Sequence, residues 1–254
     1  MTMPRVKHMC LPLMNVVRMK SMPILQLLQL EERLLRTSSD NWFIVNDGTI
    51  HPAIVMGLSG KLSELAELKH VLHDSIPVIK RFTGGGTVIV DDGTIFAAII
   101  CNKDDVPGVQ PYPRSIMSWT NYAFDTRKFG GNAQSITKNQ WIHHTSFLWN
   151  YDVKNMDYLK LPMRASKYRL ARDHVEFLCK MKEYLPSRSI FIERTITSLE
   201  NHFSVRHVQA ETIFDPSESS FSPSTRLLLE KELQEAYSSQ TSRQQSLRST
   251  LFSE

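Results

Sequence analysis

The chain has 254 residues, of which 41% are hydrophobic, and 30 basic against 26 acidic side chains give a net charge of +4. This apolar content can bury a sizeable core, whereas the charge surplus is too small to indicate a nucleic-acid partner. No apolar run approaches the roughly 18 residues that a membrane span requires, and three isolated cysteines indicate neither a disulfide framework nor a zinc site.

The amino-terminal segment is basic. Four Lys or Arg residues and no acidic residue precede Glu31, which is the charge bias of an organellar presequence. We therefore expect a mitochondrial or other organellar location, with the cytoplasm as the alternative. Because a strand is predicted from residue 11, a removable leader would occupy at most the first ten or so residues.

The first half of the chain alternates strands and helices. Its patterns predict, in chain order, a strand at 11–17, a helix at 23–36, strands at 41–45 and 53–56, a helix at 63–73, and strands at 78–82, 87–90 and 94–100. Asp47-Gly48 is a hairpin turn signal between the second and third strands. In the first helix, Glu31 and Glu32 fall between the apolar positions, and Ser63 is the expected cap of the second helix.

The second half predicts fewer elements. They are a strand at 133–136, a turn at 138–139, a strand at 143–149, a basic helix at 168–184 and a helix at 225–236. The last dozen or so residues lack apolar periodicity and are expected to be disordered. We predict a catalytic domain over residues 12–215, followed by a helix and a Ser/Gln-rich tail over 216–254.

Two short segments combine a cation with glycine. In KRFTGGGTVIVDD, residues 80–92, Arg81 precedes the triplet Gly84-Gly85-Gly86, so that backbone amides can approach an anion while Arg81 offers a bidentate donor. In KFGGNAQ, residues 128–134, Lys128 precedes two glycines and is a mobile point charge suited to charge that shifts during a reaction. Such pairs typically hold phosphates or carboxylates.

Three segments match, in the same order, the signatures of one family. Residues 80–92 match R-R-x-x-G-G-G-x-V-x-H-D, with Val90 in place of the histidine; Lys128, Gly131 and Ala133 match K-x-x-G-x-A; and residues 143–152 echo H-H-G-T-L-L-x-N-x-D. Over about residues 12 to 210 the chain therefore resembles the biotin/lipoate protein ligase catalytic-domain family, and within it the lipoate-protein ligase A branch.

The resemblance implies an α+β fold in which a central mixed β-sheet is flanked by helices, as in the class II synthetase and biotin ligase-like catalytic domain. Between Ile100 and Lys128 the chain is shorter than the family pattern. The junction reads as an excision at Thr120/Asn121, so that one helix and part of a strand are expected to be missing.

The resemblance also implies a two-step reaction. A lipoate or octanoate carboxylate would attack the α-phosphate of ATP, with Mg²⁺ bridging the triphosphate, and a lysine of a lipoyl domain would then displace AMP. The implied partners are the lipoyl domains of 2-oxoacid dehydrogenase acyltransferases and the glycine cleavage H protein. We expect a monomer with no nucleic acid and no membrane partner.

The resemblance assigns roles to individual residues. Lys128 would be catalytic, and Asn121 is a weak candidate for the metal. Ligand or nucleotide binding would fall to Arg81, Gly84, Gly85, Gly86, Thr87, Val88, Ile89, Gly131, Asn132, Ala133, His144 and Thr145. Since strand side chains alternate, only one of His143 and His144 can face the ligand, and Asp91 and Asp92 are interpreted as turn residues.

Two further interpretations stay open. One is an octanoyl or lipoyl transferase that uses no ATP; it would need a thiol over the site, and Cys101 is the nearby candidate, although a buried thiol that only fills space is the more common case. The other is a catalytically impaired, shortened isoform that acts as a binding protein. The gap at Thr120/Asn121 is the feature that separates it from an active enzyme.

Overall fold

The computed structural model describes residues 11–105, 123–161, 172–213 and 221–251. The strands are β1 (Leu13–Lys20), β2 (Asn41–Asp47), β3 (Ala53–Met56), β4 (Val78–Lys80), β5 (Thr87–Val90), β6 (Thr94–Asn102), β7 (Ala123–Phe124), β8 (Arg127–Lys128), β9 (Gly130–Ile136), β10 (Gln140–Leu148), β11 (Ser204–Val208) and β12 (Arg226–Leu227). The helices are α1 (Ile24–Thr37), α2 (Leu62–Leu65), α3 (Leu68–His73), α4 (His174–Phe177), α5 (Arg188–Leu199) and α6 (Glu230–Leu251).

Two mixed sheets form the framework. The larger has the order β11-β1-β2-β6-β10-β9, in which β11, β1 and β2 run parallel and the remaining neighbours are antiparallel. The smaller has the order β12-β4-β3-β5, and β7 and β8 form a separate short hairpin. The predicted α+β fold, a central mixed sheet flanked by helices, is confirmed, although its strands are divided between two sheets.

Helix α1 joins the two sheets. Its leucines recur at helical spacing, and Leu27, Leu28 and Leu35 are buried with Trp42 and Ile44 of the larger sheet in a core that also includes residues of the smaller one. Each fully buried leucine contributes about 1.5–3 kcal/mol. Helix α5 covers the opposite face of the larger sheet through a separate apolar cluster, so that the larger sheet is packed on both sides.

Two predictions in the first half are wrong. The strands at 41–45 and 53–56 exist, but they form no hairpin: β2 pairs with β1 and β6, whereas β3 pairs with β4 and β5 in the other sheet. The single helix over 63–73 is two short helices, because Ala66 forms a β-bridge with Leu159 between them. Ser63 lies inside the first of these helices, whose N-cap is Lys61, so the predicted cap is wrong.

The second half also departs from prediction. The described part of the helix expected at 168–184 is the four-residue α4 and a 3₁₀ turn at Met181–Glu183, because Leu178 forms a bridge with Lys128. The helix predicted at 225–236 is replaced at its start by strand β12, and helix α6 begins at Glu230 and continues to Leu251. The prediction of a disordered tail is therefore wrong for the residues before 252. The proposed junction at Thr120/Asn121 lies outside the described residues. Among the helices described, none is long and apolar enough to cross a membrane.

Candidate functional site

The buried side chain of Arg81 is hydrogen-bonded to the glycine triplet. The residue is 5% exposed. Its Nε donates to Thr83 Oγ1 at 2.8 Å, and its Nη2 donates to the carbonyls of Gly84 at 2.8 Å and Gly86 at 2.9 Å. Burial lowers its pKa to about 10, and the charge of Glu31 opposes this shift, so Arg81 stays cationic at neutral pH. Of the donors that the sequence predicted for a bound anion, Nε and Nη2 are used within the loop, and Nη1 donates to the Val55 carbonyl of β3 at 3.4 Å.

Only one glycine of the triplet is required by the backbone. Gly85 has φ +98°, and a Cβ there would lie 2.9 Å from Arg81 Nη2, whereas a Cβ at Gly84 or Gly86 would meet nothing within 4 Å. Gly57, at the end of β3, was missed by the sequence interpretation: its Cβ would lie 2.3 Å from the Gly85 carbonyl oxygen. The triplet therefore packs directly on Gly57, and Gly84 and Gly86 leave open surface.

A cavity of about 160 Å³ opens between the sheets; we call it the first cavity. Helix α1 and strands β3, β5 and β6 supply an apolar wall, and β9 and β10 supply a polar one. Its lining comprises Ile24, Leu27, Leu28, Glu31, Val55, Arg81, Gly86, Thr87, Val88, Val90, Phe96, Lys128, Gly131, Asn132, Ala133, His144, Thr145 and Ser146. Val90, where the family signature has histidine, makes that part of the wall apolar.

A hydrogen-bonded chain crosses the first cavity. His144 Nδ1 lies 2.7 Å from Glu31 Oε2, and its Nε2 lies 3.2 Å from Thr83 Oγ1. A proton on Nδ1 satisfies every contact: His144 donates to Glu31 and accepts from the Thr83 hydroxyl, which in turn accepts from Arg81. The chain thus connects α1 to the glycine triplet.

Glu31 and Glu32, which the sequence places between the apolar residues of α1, are buried at 2% and 1% exposure. The sequence spacing indicates this burial for Glu31, because Glu31 follows Leu28 by three residues and Leu27 by four and so shares their face of the helix.

The two histidines face opposite sides of the larger sheet, as predicted. His144 lines the first cavity, whereas His143 is buried on the other side with Gln134 Nε2 at 2.9 Å from its Nδ1. Burial, with a smaller effect of His144, lowers the pKa of His143 to about 4. Asp91 accepts from the Gly93 amide at 3.0 Å, which fits its predicted role in a turn.

Lys128 borders a second cavity as well. This cavity has a volume of about 140 Å³ and shares Thr87, Val88, Lys128, Gly131 and Ser146 with the first; it adds Ile89, Gly130, Leu148, Met156, Leu159, His174, Phe177 and Leu178. The Lys128 backbone is fixed, because its carbonyl accepts from Cys179 N at 3.0 Å. None of the described residues accepts a hydrogen bond from its ammonium, which is therefore available at the junction.

The predicted site residues gather at these cavities with few exceptions. Gly84 and Gly85 lie in the loop below the first cavity, and Ile89 lines the second. Asn121 is outside the described residues. Over the described ranges, no three His, Cys, Asp or Glu side chains form a group that could hold a metal.

Neither of the described cysteines lines the first or the second cavity. Cys101 is 1% exposed and Cys179 is fully buried, and burial raises the pKa of each thiol. Cys179 Sγ also donates to the Arg127 carbonyl at 3.4 Å. Because the thiolate is the reactive form, Cys101 does not supply the nucleophile that a thioester transferase would need.

The family model of the lipoyl protein ligase A/B catalytic domain matches residues 23–204. "Inactive lipoate--protein ligase 2" of Plasmodium falciparum is 24% identical over 61% of this chain and 55% of its own length. "Probable lipoate-protein ligase A" of Mycoplasma genitalium is 27% identical over 63% of this chain and 52% of its own length. The chain thus spans about half the length of these relatives.

Solved structures share the fold. The Thermoplasma acidophilum protein Ta0514 with bound lipoic acid has a TM-score of 0.62 and 14% identity, over 80% of this chain and 92% of its own. A structure from a lipoylation system of that organism, described as a bipartite lipoate protein ligase and its E2 lipoyl domain, has a TM-score of 0.59 and 17% identity over 81% and 91%. A lipoate-protein ligase A bound with ATP has a TM-score of 0.59 and 14% identity over 80% and 92%.

Proposed function

The chain belongs to the lipoyl protein ligase A/B catalytic-domain family, and from this premise we propose that it is an ATP-dependent lipoate- or octanoate-protein ligase. The acyl carboxylate attacks the α-phosphate of ATP, so that an acyl adenylate forms and pyrophosphate leaves. The ε-amine of a lipoyl-domain lysine then attacks the acyl carbon; an amide forms, AMP leaves, and the amine loses a proton.

One observation carries the proposal: Lys128 stands where the two cavities meet. The apolar wall of the first cavity, formed by Leu27, Leu28 and Phe96 among others, suits a hydrocarbon tail. The second cavity, with Leu148 and Phe177 in its wall, suits a nucleotide base. A carboxylate and an α-phosphate would then meet beside the Lys128 ammonium, which stabilises the negative charge that develops there.

The comparisons support the substrate class and the partner. Similar structures hold lipoic acid in one case and ATP in another, and a third belongs to a lipoylation system described as a ligase and its E2 lipoyl domain. We therefore propose, as acceptors for this chain, the lipoyl domains of 2-oxoacid dehydrogenase acyltransferases and the glycine cleavage H protein.

Magnesium enters the proposal with ATP. The described stretches contain no cluster of three metal-ligating side chains, so we assign no protein ligands and derive no step through the ion. Mg²⁺ commonly binds nucleotide phosphates and keeps several waters, which agrees with delivery as its ATP complex.

The test combines the full chain with octanoate or lipoate, ATP, Mg²⁺ and an apo lipoyl domain, and measures the mass of the lipoyl domain. We expect an acyl mass gain that requires ATP. Lys128→Ala should lower the rate by about 100-fold or more without changing the unfolding temperature, whereas Lys138→Ala, at an exposed lysine in the turn between β9 and β10, should change neither. A gain only from an acyl-carrier thioester would refute ATP use and favour the transferase.

A second candidate is binding without turnover. Two observations favour it. The Nε and Nη2 donors of Arg81 are used within the loop and not offered to a substrate, and the Plasmodium falciparum relative is named an inactive lipoate-protein ligase. In this case calorimetry would detect octanoate or lipoate binding while the mass of the lipoyl domain stayed unchanged.

The cellular setting remains a proposal from the sequence. The basic bias before Glu31 favours a mitochondrial or other organellar location, and we propose a monomer. Imaging of the tagged full chain tests the location, and light scattering tests the monomer.

A further inference from the structure

A short carboxyl-terminal segment is bound against the back of the site. Residues 224–233, which we call the C-terminal clasp, lie beyond the residues matched by the family model. Its strand β12 pairs with β4, placing Arg226 opposite Lys80, next to Arg81. Leu228 and Leu233 are buried in the core of the smaller sheet, so the clasp is part of the folded protein.

Thr225 is the central residue of the clasp. It is 1% exposed. Its backbone N–H and carbonyl are hydrogen-bonded to α1, and its hydroxyl is hydrogen-bonded to the segment that follows β4. Its N–H donates to Glu32 Oε2 at 2.9 Å, and its carbonyl accepts from Gln29 Nε2 at 3.1 Å. Its hydroxyl oxygen accepts from the backbone N–H of Phe82 at 3.1 Å. Thr225 thus ties α1 to the segment that connects Arg81 with Thr83.

Glu32 secures the same contact from the helix. Its Oε1 accepts from Ser224 Oγ at 2.5 Å and from Arg36 Nε at 3.2 Å. Burial alone would raise the pKa of Glu32, but hydrogen bonds from Ser224 and Thr225 outweigh it and hold the pKa below its usual value. The carboxylate is therefore ionised and anchors the clasp through charge-assisted hydrogen bonds.

The two segments joined by Thr225 both line the first cavity. Helix α1 supplies Leu28 and Glu31 to its lining, and the glycine-triplet segment supplies Arg81 and Gly86. We propose that Thr225 is a positioning residue of the site, which fixes these two lining segments relative to one another and thereby sets the width of the first cavity. The inference rests on the proposed function, because acyl-ligand affinity is its main readout.

The experiment measures octanoate and lipoate affinity by calorimetry in the full chain. Thr225→Val keeps the side-chain shape but leaves the Phe82 amide without its acceptor. In the free protein the segment around Phe82 can move until water reaches this amide. Ligand binding restores the alignment of this segment with α1 and buries the amide again. We expect Kd to rise about tenfold, the order expected for an unsatisfied buried donor. Thr225→Ser, which keeps the hydroxyl, should restore the wild-type Kd.

Ile196→Val is the matched control, because Ile196 is buried in α5 on the opposite face of the larger sheet and its truncation removes a methylene without touching the clasp. An equal rise of Kd in Thr225→Val and Ile196→Val, or no recovery in Thr225→Ser, would overturn the inference.

A second readout separates this inference from the proposed function. Amide hydrogen exchange needs no ligand, and we expect Thr225→Val to accelerate exchange at Phe82, in the glycine triplet and along α1 but not in α5. If the wild-type protein binds neither octanoate nor lipoate, the proposed function fails while this local acceleration still supports the clasp. Unchanged exchange at Phe82 would overturn the clasp whatever the ligand result.

Discussion

Gly57→Ala tests whether the glycine triplet is held by its packing on β3. The added Cβ would lie 2.3 Å from the Gly85 carbonyl oxygen, and this oxygen belongs to backbone, which cannot rotate aside like a flexible side chain. To reach 3.0 Å, the shortest separation that real Cβ atoms show, the carbonyl must retreat by at least 0.7 Å. This movement displaces Gly84 and Gly86, whose carbonyls accept from Arg81.

The cost follows from two contributions. Overpacking of this size costs about 1–3 kcal/mol, and weakening one or both Arg81 hydrogen bonds adds about 0.5–1.5 kcal/mol. We expect a loss of about 2–4 kcal/mol in the free energy of unfolding, which lowers Tm by roughly 5–15 °C for a chain of this size. Gly84→Ala is the control, because its Cβ meets nothing within 4 Å and Ala at a compatible backbone stabilises by up to about 1 kcal/mol.

Urea unfolding followed by tryptophan fluorescence gives the free energy of unfolding for both variants. Lipoate calorimetry shows whether the displaced triplet also weakens ligand binding. If Gly57→Ala unfolds at the same urea concentration as Gly84→Ala, the close contact between β3 and the triplet does not exist in solution, and the argument for Gly57 fails.

Two other predictions concern titration and the thiols. The pKa of His143 is about 4 in the folded protein and about 6.5 in unfolded chains. Between these pH values the unfolded state binds a proton that the folded state does not. The contribution of His143 to stability is therefore full above pH 6.5 and falls by about 3 kcal/mol as the pH drops to 4. His143→Gln should flatten this slope in urea titrations at several pH values; an unchanged slope would assign it to other groups. Cys101→Ala should retain acyl transfer to the lipoyl domain in the mass assay, and its loss would restore the thioester mechanism.

Local patterns predicted the elements whose packing is repetitive. Helix α1 was expected at 23–36 and lies at Ile24–Thr37, because its leucines repeat along one face. Strand β5 was expected at 87–90 and lies there. The sequence paired the triplet with Lys128 from their residue types, and Gly86 and Lys128 both line the first cavity. Their roles in catalysis stay predictions.

The remaining features depend on contacts between distant residues. Asp47-Gly48 has the composition of a hairpin turn, which predicts that β3 pairs with β2. Strand β3 instead pairs with β4 and β5 and so belongs to the smaller sheet. The break at Ala66 is set by Leu159, almost a hundred residues later. Gly57 carried no local signal, since its requirement arises from Gly85. The buried partners of Arg81 were hidden for the same reason.

The bond between Thr225 and α1 has a consequence for biosynthesis. The residues that line the first cavity end at Ser146, so Thr225 leaves the ribosome about 80 residues after the last of them, which is roughly 4–16 s at ordinary rates of translation. During that interval strands β1 to β10 can pair and His144 can already bond Glu31 and Thr83, but the hydrogen bonds by which Thr225 joins α1 to Phe82 are absent. The cavity would therefore reach its final width only late in synthesis, and ligand present during translation would meet a looser site than the finished protein offers.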